Sequence, residues 1–144
     1  MEIEGEALRL SKRPVAFKRL VGLNVPQFME LLEKFEPLMA VADAKRLNKR
    51  ERQRKIGAGN EYSLTLCDRL LMTLIYYRTY VSQEFLGYLF DLDDANVCRN
   101  MARVRPVLAQ IFRVPEKRIK VDPEDVATLF LTARNNGSTD LKAA

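Results

Sequence analysis

The chain has 144 residues, of which 47% are hydrophobic and 30% charged, with 6 glycines and 6 prolines. This composition suits one globular domain with an accessory arm, and excludes a second large domain, a collagen-like chain and a wholly disordered one. Lysine and arginine number 24 against 19 aspartates and glutamates, a net charge of +5 with a pI near 9.4, so a polyanion is a fitting partner.

The absence of histidine removes Ser-His-Asp and Cys-His triads and every histidine-containing zinc site. Cys67 and Cys98 fall within helical patterns without metal-ligand spacing, and read as reduced thiols rather than a disulfide framework. The segment Met1–Leu10 is acidic and lacks the apolar stretch of a signal peptide. No window approaches the ~18 uninterrupted apolar residues needed to span a bilayer, so membrane insertion is not expected.

The first predicted helix opens at Asn24, which can cap it with Gln27 reaching back from the third helical position. Phe28, Leu31, Leu32, Phe35 and Met39 then recur at helical spacing, and Pro37 should kink or end the helix. From Lys45 to Lys55 the sequence KRLNKRERQRK holds seven basic residues and one acid. It leads into the loop-forming Gly57-Ala58-Gly59-Asn60 and reads as a mobile basic arm, with a solvated helix surface or a spacer as the plain alternative. Lys45, Arg46, Lys49, Arg50, Arg52, Arg54 and Lys55 are its candidate phosphate contacts.

Thr65 is placed to cap a helix with Asp68 in its first turn and an inward stripe of Leu66, Leu70, Leu71, Leu74 and Ile75. Tyr76, Tyr77 and Tyr80 flank its end; they could stack on bases, but packing over the core is the reading adopted. Ser82 caps a short helix, Gln83 to Phe90, that turns Leu86, Leu89 and Phe90 inward. After Asp91-Leu92-Asp93 a further helix begins near Asp94 and buries Val97, Met101 and Val104. Pro106 is expected to start a fresh segment carrying Val107, Leu108 and Ile111, since its fixed φ suits a first turn. Asp122-Pro123-Glu124-Asp125 opens a last helix packed through Val126, Leu129 and Phe130, which Asn135-Asn136-Gly137 ends.

No run alternates as a strand, and the expected fold is all-α: a helix-turn-helix bundle over 64–134, an N-terminal helical unit over 1–44, a basic arm over 45–63 and a disordered tail over 135–144. Gln83 to Val104 has the spacing of the helix-turn-helix itself, with small Gly87 where two helices must approach. Asp91 stands in the turn where glycine often sits, and tolerates left-handed geometry. At ~100° per residue, Ala95, Asn96, Arg99, Ala102 and Arg103 lie opposite the buried face of the second helix. Arginine can grip guanine O6 and N7 or a phosphate, asparagine can pair with adenine, and the two alanines let the helix sit deep in a major groove. Gln83 and Asn100 complete the candidate DNA contacts. Asp91, Asp93 and Asp94 read as a turn and a helix cap rather than a metal site. No catalytic residue, metal site or cofactor is expected.

The segment LTLCDRLLMTLIYYRTYVSQEFLGYLFDLDDANVCRNMARVRPVLAQIF, Leu64 to Phe112, resembles the helix-turn-helix region that precedes the catalytic domain in DDE-superfamily transposases of bacterial insertion sequences. DRLLMTLIYYRTYVSQEFLGYLF is its most specific part, and LVGLNVPQFMELLEKFEPL, the basic run and the Gly-Ala-Gly loop extend the likeness over residues 17 to 130. Asn60 and Glu61 stand where that family is basic, and Asn100 where it is usually apolar. The resemblance implies binding of double-stranded DNA at the terminal repeats of an insertion sequence, in the cytoplasm at the nucleoid. It also implies a separate carboxylate domain for two-metal phosphoryl transfer, which the 144 residues are too short to include. A split transposase completed by a catalytic polypeptide, a regulator or inhibitor of transposition, and an independent helix-turn-helix transcription regulator all remain open, as does a homodimer.

Overall fold

Six helices, Gly5–Ser11 (α1), Pro14–Val21 (α2), Val25–Arg50 (α3), Leu66–Thr79 (α4), Gln83–Phe90 (α5) and Asp94–Leu108 (α6), make up most of the structure, a computed structural model that describes residues 3, 5–50, 64–79, 81–113, 122–128 and 130. A short helical stretch over 123–128 follows, and no strand occurs among the described residues. The fold is all-α.

The helix α4 lies at the centre. Of its 14 residues all but Leu66, Tyr76 and Arg78 are buried, because α1, α2, α3, α5 and α6 all pack on it. The expected single inward stripe therefore gives way to burial all round, the state of a helix whose apolar residues leave no polar face. Thr73 and Thr79 bury their hydroxyls by donating to the carbonyls of Arg69 and Ile75 one turn back, at 3.0 and 2.8 Å. Thr65 caps the helix as expected, its Oγ1 accepting from the Asp68 N–H at 3.2 Å.

Two helices precede the first one read from the sequence. The N-terminus of α1 is capped from a distance: the Asp68 carboxylate accepts the backbone N–H groups of Glu6 and Ala7, each at 3.0 Å. Gly5 permits this approach, with φ +66° and no room for a Cβ against the same carboxylate. A turn closed by Arg13 N–H on the Leu10 carbonyl at 2.9 Å leads to Pro14 and α2. Leu10, Phe17 and Leu20 are fully buried, each contributing roughly 1.5–3 kcal/mol over an exposed position. Helices this short form because they pack, since isolated helices of under ~12 residues are marginal in water.

Asn24 and Gln27 make the reciprocal cap predicted for α3, with bonds of 2.9 and 3.0 Å. Phe28 meets Phe17 edge to face at 5.3 Å, and Leu32, Phe35 and Met39 continue the buried stripe. Of the kink or end expected at Pro37, the end does not occur: α3 continues through it. Pro37 is exposed, so the carbonyl it leaves without a donor can turn to water, while Phe35 and Met39 anchor the helix on both sides. The basic run likewise does not begin as an arm: residues 45–50 continue α3. The Gly57–Asn60 loop lies outside the described residues.

Pro106 does not start a new segment either. It lies within the last turn of α6, with Val107 and Leu108 buried beyond it. Farther on, Val126 and Phe130 are buried as expected, Phe130 edge to face with Phe90 at 5.3 Å. Leu129 and the 135–144 tail lie outside the described residues. Buried side chains from both the 1–44 and 64–134 stretches join one apolar cluster.

Candidate nucleic-acid interface

The local chemistry of α5, the turn and α6 sets the interface. Ser82 caps α5, its Oγ accepting from the Phe85 N–H at 3.1 Å. Asp91 ends the helix in the left-handed conformation, φ 58° and ψ 51°, and the Leu92 N–H returns to the Gly87 carbonyl at 2.8 Å. Asp93 then caps α6, its Oδ1 accepting from the Asn96 N–H at 2.8 Å. Gly87 makes the turn possible: a Cβ there would collide with the Leu92 carbonyl oxygen. Leu86, Leu89 and Phe90 pack with Val97, Met101 and Val104. The three aspartates thus serve as turn and cap, and no metal-holding group of three or more such side chains occurs among the described residues.

With that inner face buried, α6 presents Ala95, Asn96, Arg99 and Ala102 outward, all exposed, with Arg103 half-buried beside them. Arg99 Nη2 donates to Asn96 Oδ1 at 3.2 Å, which places both side chains over one stretch of the helix. Gln83 is half-buried at the start of α5. Asn100 does not join this face. It is only 5% exposed, and its Nδ2 donates to the Asn96 carbonyl at 2.9 Å. Its wheel position beside the Val97–Val104 stripe draws it inward, so a base contact from Asn100 is not compatible with this packing.

Lys45 is exposed at the end of α3. Arg46 is half-buried and lies 3.6 Å from Asp43, whose other oxygen is 3.8 Å from Nη1 of buried Arg69. Arg46 is thus engaged by Asp43, which also joins α3 to α4 through Arg69. The side chains of Lys49 and Arg50, and Arg52, Arg54 and Lys55 altogether, lie outside the described residues.

One basic residue escaped the sequence reading. Arg105, exposed near the end of α6, donates from Nε to the Tyr77 hydroxyl at 3.3 Å. Its guanidinium lies 5.9 and 5.8 Å from the centres of the Tyr76 and Tyr77 rings. Tyr77 is buried and Tyr76 half-buried, in keeping with the expected packing over the core; Tyr80 lies outside the described residues. Arg105 falls on the flank of α6 rather than opposite Val97, and only its partners 28 residues earlier single it out.

These elements define a helix-turn-helix domain: a capped short helix, a tight left-handed turn, and a second helix with a buried apolar face and an outer face of small and basic residues. Residues 62–113 match the family model described as the helix-turn-helix of DDE superfamily endonuclease, in agreement with the resemblance drawn from the sequence. No curated protein and no solved structure matches the chain. Among the described residues no helix is long and apolar enough to cross a membrane.

Proposed function

We propose that this protein binds double-stranded DNA at the terminal repeats of an insertion sequence, as the DNA-binding part of a transposase whose catalytic carboxylates come from a separate domain or polypeptide. The observation that carries the reading is the exposed face of α6, where two alanines flank Asn96 and Arg99 on a helix fixed by the Gly87 turn. Small side chains allow close approach to the groove floor, while Arg99 reaches guanine or phosphate and Asn96 pairs with adenine. Arg103, Gln83 and Lys45, with the rest of the basic run to Lys55, contact the phosphate backbone and set register rather than sequence. The site of action is the nucleoid.

The purified chain, titrated at two salt concentrations with the repeats flanking its gene and with scrambled duplex, tests this reading. A preference for the repeats that survives higher salt is expected. Arg99→Ala should cost about 1–3 kcal/mol and relax the preference. Unchanged binding in the Arg99→Ala/Arg103→Ala variant would refute the assignment of α6.

A further inference from the structure

We propose that the outer face of α2, with Lys12 before it and Arg78 beside it, is a second contact for the DNA phosphate backbone, linked to α6 by way of the end of α4. The proposal rests on the DNA-binding reading above. Residues 7–29 contain Arg9, Lys12, Arg13, Lys18 and Arg19 and no acid, whereas the chain as a whole sets 19 acids against 24 basic residues. Arg9 is engaged by Glu6 at 2.9 Å, but no ion pair holds Lys12, Lys18 or Arg19 among the described residues. All three are exposed.

Their placement follows from the packing of α2. Phe17, Leu20 and Val21 are buried, which leaves Val15, Lys18 and Arg19 on the opposite side at ~100° per residue. Val15 is 84% exposed, beside a surface hollow lined by Arg13, Pro14, Val15, Ala16 and Arg19. The end of α2 is tied to the end of α4, where Arg78 Nε donates to the Arg19 carbonyl at 3.3 Å. The residue before Arg78 is Tyr77, whose hydroxyl holds Arg105 of α6. Tyr77 and Arg78, neighbours at the end of α4, thus hold Arg105 of α6 and the Arg19 carbonyl of α2 respectively.

A face with several unpaired cations, one exposed valine and no aromatic anchor lacks the apolar centre on which protein partners dock. A polyphosphate backbone needs only the cations, since displacement of its condensed counterions drives the binding.

The test uses the full chain and a fluorescent random-sequence duplex several helical turns long, titrated over a series of salt concentrations. In the Lys12→Gln/Lys18→Gln/Arg19→Gln variant the slope of log affinity against log salt should fall by about two to three, and affinity at moderate salt by roughly tenfold or more. Lys18→Gln alone should lower the slope by about one, which guards against a folding defect in the triple variant. If the triple variant keeps the wild-type slope while Arg99→Ala/Arg103→Ala weakens binding, DNA binding stands and the α2 contact is wrong. If the wild-type chain does not bind duplex even at low salt, both readings fail. Loss of binding to polyglutamate with an unchanged DNA slope would assign the face to an acidic protein and overturn the proposal.

Discussion

Asp68 was expected to favour the first turn of its own helix; instead it also caps α1, 62 residues away. Burial pushes its carboxyl above the ordinary 3.8, because desolvation outweighs the two backbone donors; Glu6 adds to the rise and Arg9 opposes it. The folded chain therefore holds this proton more tightly than the unfolded chain, and stability from this group is present below 3.8 and lost as pH rises through the folded value. Melting temperatures of the wild type and Asp68→Asn across that range should show the wild type's advantage shrinking as pH rises. An advantage that grows with pH would mean that the two N–H bonds dominate. Caps made within three residues, at Asn24, Thr65 and Ser82, were legible in the sequence because donor and acceptor share one turn. The Asp68 cap and the Arg105–Tyr77 contact were not, since each joins residues that only the tertiary fold brings together.

Among the elements, the pair α5 and α6 was the most legible: an apolar period, two side-chain caps and an aspartate at the left-handed position agree on one geometry. Gly87 is its most sensitive point. Gly87→Ala gains about 1 kcal/mol of helix propensity but forces a Cβ against the Leu92 carbonyl, a rigid backbone atom. A net loss of about 1–2 kcal/mol is expected, measurable by denaturant titration, and stability equal to wild type would show that the turn can open freely. The two prolines were weighed differently, Pro37 for its missing donor and Pro106 for a φ that suits a first turn. Yet both lie inside continuous helices, where exposed carbonyls can bond water and the buried residues on either side hold the helix. The burial of α4 on all sides was hidden because α1 and α2, which cover part of it, were not read as helices.

Across the whole molecule, one apolar cluster receives Leu10, Phe17 and Leu20 from the N-terminal helices and Val97, Met101 and Val104 from α6. Phe17→Ala should therefore lower the stability of the entire molecule by about 3–5 kcal/mol, with a single unfolding transition seen both by circular dichroism and by tyrosine fluorescence. Separate transitions, with α4 to α6 surviving the loss of α1 and α2, would contradict this coupling. The family match spans 62–113, yet the core that supports that segment reaches back to residue 7. The distant cap on α1 also gives the chain a schedule during synthesis. Residues 5–21 leave the ribosome before α4 does, so Leu10, Phe17 and Leu20 lie open to chaperones until α4 emerges to receive them.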